Sequence, residues 1–265
     1  MNTRAYSSLM IIGIKSTLVY FKDFILSSVL YLLSFLFIIF IWNAVYISEH
    51  ATTIGGFSLP QIDAYFIVVG IISMLMNTSN DNILEEDIQE GNIAGKLIKP
   101  INYAASVFTE STSNTLITAV PVIIIALTIA ILALHITVSS TTLLVFIAEL
   151  AMGYILIGII QFIIGSFSIY TTTIDGFSSL VMTMIAFLGG GIMPLNFFPL
   201  WARGIVGALP FQLFLYVPSA TLNGAISGTQ IYNYLVLYVA WLAVISGLGF
   251  IWWGRVKRNL TAVGG

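Results

Sequence analysis

Few residues of this chain have the type and spacing for chemistry, and those few lack the partners that chemistry needs. Glu85-Glu86 is the kind of carboxylate pair with which an intramembrane hydrolase activates water, but the arginine required four residues after the second glutamate is here Glu90. Gly91-Asn92-Ile93-Ala94-Gly95-Lys96-Leu97 has one residue too few between its glycines for a phosphate-binding loop, and leucine stands where Ser or Thr would hold Mg²⁺. No strand precedes it, so no ATP site is expected there. Gly176-Phe177-Ser178 offers a serine at a turn, yet the 2 histidines, His50 and His135, fall at the opposite span ends and outside any HExxH context. The absence of cysteine removes thiolate nucleophiles and thiolate metal sites. No catalytic, cofactor or metal residues are therefore expected, and the chain does not read as an enzyme. One carboxylate stands apart. Glu149 lies inside an apolar span, where a charge costs about 2.5–3.5 kcal/mol on insertion scales, so it should face the bundle interior or be protonated. It reads equally as a structural carboxyl bonded to a neighbouring Ser, Thr or Gln and as a pathway residue.

The elements that must position these residues follow from composition. Of 265 residues, 58% are hydrophobic and only 8% charged, and the mean hydropathy is +1.02. A soluble domain carries about 25% charged residues to wet its surface. This chain has too few, so most of its outer surface must face lipid. Inside a bilayer every backbone N–H and C=O has to be paired, which leaves helices or closed barrels. The apolar runs here are long and unbroken rather than alternating, so the expected fold is an all-α polytopic integral membrane protein. A net charge of −2 argues against a nucleic-acid partner. Lys15, Lys22 and Asp23 interrupt the first apolar stretch and no small-residue cleavage site follows, so the first span is expected to act as an uncleaved anchor.

Read along its length, the chain is one transmembrane domain, 1–265. Residues 1–23 mix Arg4, Lys15 and Lys22 with Leu9, Ile11, Ile12, Ile14, Leu18 and Phe21, which suits an interfacial helix. Six spans follow, at about 24–47, 62–77, 107–134, 143–170, 177–193 and 231–253, with Pro121 expected to kink the third. Between spans two and three lies the most polar stretch, Asn80 to Asn102. There a short helix over Glu85–Glu90 groups Ile83, Leu84 and Ile88 on one side and acids on the other, Gly91 stops it, and Pro100 sets the entry to span three. Such a ridge with a charged rim is suited to a partner's groove. Residues 194–225 hold Pro194, Pro199, Pro210 and Pro218 among Phe197, Phe198, Trp201, Phe211, Phe214 and Tyr216. They are too apolar for a solvated loop and too broken to span, so a re-entrant or surface-lying element is expected. Gly158 and Gly165, on one face of span four, should admit a close neighbour. With the N-terminus inside, six crossings put Arg4, Lys15, Lys22, Lys96, Lys99, Arg255, Lys257 and Arg258 in the cytoplasm and only Arg203 outside, a strong positive-inside bias. Both termini are then cytoplasmic and the element at 194–225 is extracytoplasmic.

Two stretches resemble one family. Glu86-Asp87-Ile88-Gln89-Glu90-Gly91-Asn92-Ile93-Ala94-Gly95-Lys96-Leu97-Ile98-Lys99-Pro100-Ile101-Asn102 is similar to the cytoplasmic loop of type-2 ATP-binding-cassette (ABC) exporter permeases: acidic–Ile–x–x–Gly, then a Leu-rich run ending in basic–Pro–x–Asn. Gly190-Gly191-Ile192-Met193-Pro194-Leu195-Asn196-Phe197-Phe198-Pro199-Leu200-Trp201, continued by Leu209-Pro210-Phe211 and Tyr216-Val217-Pro218, looks like the extracytoplasmic element between spans five and six of that family. The resemblance implies a permease subunit of an ATP-driven exporter in a prokaryotic cytoplasmic membrane. A separate ABC ATPase subunit would carry ATP and Mg²⁺, and a second permease chain, identical or homologous, would complete the pathway. It assigns the ATPase-coupling loop to Glu85, Glu86, Asp87, Ile88, Glu90, Gly91, Lys96 and Pro100. The extracytoplasmic gate falls to Pro194, Phe197, Phe198, Pro199, Trp201, Pro210 and Phe211.

The low charge suits an amphiphilic or hydrophobic substrate. Two other readings compete. One is an ion- or proton-coupled secondary transporter using Glu149, against which stands the lack of a repeat between spans 1–3 and 4–6. The other is a membrane scaffold without transport.

Overall fold

The computed structural model describes residues 21–134 and 139–263. The interfacial helix expected over 1–23 lies outside them except for residues 21–23, which open the first helix, and so does most of the turn expected after span three, at 135–138. The described chain is mostly helical. Its long helices are α1 (Phe21–Ser48), α2 (Leu59–Met76), α5 (Tyr103–Leu134), α6 (Ser140–Gly165), α7 (Asp175–Leu188) and α10 (Thr229–Val263). They overlap the six apolar segments read from the sequence. Three stretches are long and apolar enough to cross a membrane, Leu59–Gln89, Ser140–Ile169 and Thr229–Arg258, with shorter apolar helices at Leu33–Ser48 and Asp175–Leu188.

Local chemistry starts these helices where they start. The Ser58 N–H donates to Gln61 Oε1 at 2.9 Å, and Pro60 sits in the first turn of α2. Asn102 Oδ1 accepts from Ala105 N–H at 3.2 Å to open α5, and Ser139 Oγ accepts from Thr142 N–H at 3.2 Å to open α6. α5 runs without interruption through Pro121. A two-residue hairpin, β1 (Thr53–Ile54) with β2 (Phe57–Ser58), joins α1 to α2. At its tip Gly55 has φ +56°, and a Cβ there would fall 2.3 Å from the Phe197 ring. Only glycine fits.

Three places differ from an uninterrupted set of spans. Below α2 the helix breaks at residues 77–79 and resumes as α3 (Asn80–Gln89). α7 ends at Leu188 rather than continuing to Met193. Gly189 presses on the Phe211 carbonyl, and Gly190, at φ +92°, turns the chain back beneath the Tyr65 hydroxyl. After α6 the chain tightens into a 3₁₀ turn, Ser166–Ile169, where span four was expected to run on to 170.

α6 is the hub, packed by α2, α3, α10 and α9 (Tyr216–Leu222). The main core gathers Tyr65, Phe66, Leu156, Ile157, Leu213, Phe214 and Tyr238. The closest approach is at Gly165, where a Cβ would sit 2.7 Å from the Asp81 carbonyl oxygen and 2.8 Å from its Cα. One turn pair up, at Gly158, a Cβ would meet the Phe108 ring at 2.6 Å. Of the two glycines anticipated as a contact face, Gly165 thus seats α3, and Gly158 admits Phe108 of α5 and the Asn80 amide of α3, 2.9 Å from the added Cβ. Gly165→Val should lower the unfolding free energy in detergent by about 1–3 kcal/mol through overpacking against rigid backbone. Gly176→Ala, where nothing lies within 4 Å of the added Cβ, should be neutral or mildly stabilising. Thermal unfolding of the two variants decides; equal midpoints would remove the close-packing argument.

Candidate functional site

The polar stretch between α2 and α5 folds into two short helices around a glycine turn. α3 ends at Gln89, Glu90 caps it, and Gly91 takes the left-handed conformation (φ +73°) that leads into α4 (Asn92–Leu97). Gly91 is the expected helix stop. The apolar side of α3 does not face outward as a docking ridge. Leu84 is fully buried with Ile93, Tyr103, Val107 and Phe162, and Ile83 and Ile88 pack against that cluster. Burying this side on the protein's own bundle satisfies it without a partner.

The acids do not form one solvated rim either. Asp87 is buried, with Lys96 Nζ 2.6 Å from Oδ1 and the Tyr103 hydroxyl donating to Oδ2 at 2.6 Å. One carboxylate therefore ties α3 to α4 and to the first residue of α5, and two charge-assisted contacts compensate its desolvation. Burial above all, and then donation to Asp87, pushes the Tyr103 phenol well up, so it remains a donor at neutral pH. Asp81, also buried, accepts from Ser178 Oγ on α7 at 2.6 Å. Glu85 Oε1 accepts from Ile174 N–H at 3.1 Å, and Gln89 Nε2 donates to the Thr172 carbonyl at 2.8 Å. α3 is thus clamped between the start of α5 and the turn that leads from α6 to α7.

Of the residues assigned to this segment, Glu86, Glu90 and Gly91 are exposed, Glu85 and Ile88 are half-buried, and Asp87 and Lys96 are paired with each other. Pro100 is exposed, two residues before the Asn102 cap. Ile98, at 85% exposure, is the large apolar side chain most open to solvent here. Sequence reasoning missed Asp81, Ser178 and Tyr103. It also missed the polar contacts that line the helix break: Thr78 Oγ1 donates to Gln161 Oε1, and the Ser79 N–H donates to Ser111 Oγ at 3.0 Å. A polar Asn-Thr-Ser-Asn run at 77–80 and a glutamine inside an apolar helix were the available signals.

At the other end of the bundle the proline-rich segment is a chain of short turns: a 3₁₀ turn at Leu195–Phe197, α8 (Leu200–Ala208), a second 3₁₀ turn at Pro210–Leu213, and α9. Pro194 and Pro199 stand just before the first turn and α8, and Pro210 opens the second turn. α9 is buried throughout Tyr216–Thr221, whereas α8 turns Leu200, Trp201 (76% exposed) and Ile205 outward. Phe197 packs on Trp42 (centroids 4.8 Å apart), and Phe198 on Phe187 (5.6 Å). Phe211 is half-buried against the core. Donors from the long helices take up the free carbonyls: Trp42 Nε1 bonds Ile192 at 3.0 Å, Tyr65 bonds Gly190 at 2.8 Å, Tyr238 bonds Leu213, and Trp241 Nε1 bonds Ala208 at 3.0 Å. Arg203 holds the carbonyls of Phe198 and Asn196. Glu149, fully buried on α6, accepts from Thr221 Oγ1 of α9 at 3.1 Å. Its Oε2 is buried without a hydrogen-bond partner among the described residues.

Apolar helices, a clamped polar hairpin at the end that carries Lys96, Lys99 and Lys257, and a broken, carbonyl-capped element at the other end define an integral membrane protein of the transporter kind. The chain matches the family model described as ABC-2 family transporter protein across residues 10–264 and belongs to that family, as the transmembrane permease component of an ABC transporter. No curated protein and no solved structure matches it.

The Asp87 junction makes a direct prediction. Tyr103→Phe leaves a buried carboxylate short of a donor and should cost about 1.5–3 kcal/mol, and Asp87→Asn a similar amount. In the double variant the losses should be markedly less than additive, because both remove one bond. Denaturant unfolding in micelles measures this; strict additivity would mean the hydroxyl and carboxylate do not interact.

Proposed function

We propose that this permease is the half-transporter of an ATP-driven exporter for an amphiphilic or hydrophobic substrate, and that residues 80–102 are where a separate ATPase subunit docks and drives it. The observation that carries the reading is the clamp on α3. Its outer edge presents Glu86, Glu90 and Asn92 to a partner, while its inner side is fixed to α5 by Asp87–Tyr103, to α6 by Gly165, and to α7 by Asp81–Ser178. A push on an element held in this way moves three helices together, which is what a coupling device must do to shift the bundle between two states. The positive-inside bias of the sequence supports a cytoplasmic position for this segment and both termini, and the family resemblance supports a prokaryotic membrane.

Two such chains, identical or homologous, would enclose the pathway. ATP and Mg²⁺ would sit on the partner ATPase, and six crossings would place the segment at 194–225 on the outer side, where Pro194, Phe197, Phe198, Pro199, Trp201, Pro210 and Phe211 shape the exit. Glu149 is read as the pin between α6 and α9 rather than as a proton site.

Affinity purification of the tagged chain from its native membrane in mild detergent should recover a nucleotide-binding subunit. Glu86→Lys combined with Glu90→Lys should abolish that recovery and the transport-stimulated ATPase activity without changing membrane insertion, since both side chains point away from the bundle. Recovery of the double variant with its ATPase intact would move the docking site elsewhere.

A further inference from the structure

A cleft of about 420 Å³ opens between the start of α5, the lower half of α6 and the end of α10. Its body is apolar and aromatic: Phe108, Phe162, Phe250 and Trp253 line it, and Tyr103 stacks on Trp253 with centroids 5.6 Å apart and planes 16° apart. Its mouth is polar, formed by Asn102 and Lys257, with Arg258 exposed at the next position on the same helix. Among the described residues, none that line it is acidic. Ser246 marks the deep end on α10 and Lys257 the mouth, a helical rise of about 16 Å. One leaflet of hydrocarbon is about 15 Å thick. Phe250 on the outer wall is 84% exposed, so the cleft opens on an exposed apolar side of the bundle.

We infer that this cleft binds one anionic phospholipid of the leaflet at the basic end, an acyl chain lying along Phe250, Gly249 and Ser246 and the phosphate held at Lys257 and Asn102. A zwitterionic lipid would fill the apolar body equally, but only a headgroup of net negative charge complements a mouth carrying Lys257 with Arg258 next to it. Leu97, Ile101 and Tyr103 also line the cleft, and Tyr103 is the residue that holds Asp87. A bound lipid therefore braces the return limb of the segment that carries α3. Lipid binding itself does not depend on the exporter reading.

The test is native mass spectrometry of the purified full chain from micelles holding equal amounts of phosphatidylglycerol and phosphatidylcholine, with thermal unfolding as a check of integrity. The wild-type chain should retain one phosphatidylglycerol in preference. Lys257→Gln should weaken that retention about fivefold while leaving phosphatidylcholine unaffected, and Ser246→Trp, which fills the cleft, should abolish it. Lys99→Gln, an exposed charge at the same end but outside the cleft, should retain lipid as the wild type does. Undiminished phosphatidylglycerol on Ser246→Trp, equal behaviour of the two lysine variants, or a lipid-free dimer mass with this face covered by a second copy would each overturn the assignment. None of these readouts requires an ATPase, so failure of the exporter reading would leave the result interpretable.

Discussion

An unpaired backbone carbonyl or amide in hydrocarbon costs several kcal/mol, and this constraint organises the molecule more than any single contact. The six long helices pair their own backbones. The chain is then free to be irregular in two places, and in both the missing hydrogen bonds are supplied from neighbouring helices. In the proline-rich segment, prolines at 194, 199, 210 and 218 remove donors and break the ladder. Tyr65, Tyr238, Trp42 and Trp241 restore it by donating to Gly190, Leu213, Ile192 and Ala208. Each donor is an aromatic residue that buries a large apolar body and ends in one polar atom, the combination that reaches a carbonyl without bringing in a charge. At the break below α2 the same task falls to short polar side chains, with Ser111 Oγ accepting from the Ser79 N–H and Gln161 accepting from Thr78. The break is therefore a fixed angle between α2 and α3 rather than a loose linker.

The charged residues obey the same logic at the basic end. A buried carboxylate is tolerated only where donors surround it. Asp81 and Asp87 flank Leu84 on the buried side of α3, and each finds a hydroxyl on a different long helix: Ser178 on α7 and Tyr103 on α5. Glu86 and Glu90 stay exposed, and Glu90 Oε2 accepts a local bond from Asn92 at 2.7 Å. The segment's acidity thus divides into a buried pair that fixes it to the bundle and an exposed pair on its outer edge.

Much of this was legible in the sequence where the signal is local. Long charge-free runs mark the helices, Gly91 marks the turn, and the seven-residue spacing of Gly158 and Gly165 marks the close contact. What was not legible depends on residues far apart in the chain. Ser178 reaches Asp81 across 97 positions and Ile174 reaches Glu85 across 89, and no periodicity announces such pairs. The acids of α3 read as a solvated face because carboxylates usually are solvated. Its hydrophobic side read as a docking ridge because the sequence does not reveal that Phe162 and Val107 stand ready to cover it. The early end of α7 was hidden for a similar reason. The run Gly189-Gly190-Gly191 is compatible with a helix end or a helix interior, and it is the Tyr65 hydroxyl, 125 positions away, that selects the turn.

α6 relates the two irregular regions. In its first half Glu149 holds Thr221 of α9, and at its last residue Gly165 receives α3. The 16 residues between them make about 24 Å of uninterrupted helix. Helices bend only gently unless a proline, a glycine pair or an inserted group breaks the ladder. The glycines of α6 at 153, 158 and 165 are separated, and each is covered by a packed neighbour, Met76, Phe108 and Asp81 respectively. They are therefore contact points and not hinges. A displacement of α3 that carries α6 arrives at α9 without a flexible joint between them, and α9 in turn bears the turns that follow Gly190. The small residues that let α3 lie so close to α6 are what make this linkage stiff. A larger residue at 165 would loosen the junction as well as weaken the fold, because the contact that stabilises the bundle is the same contact through which its two ends meet.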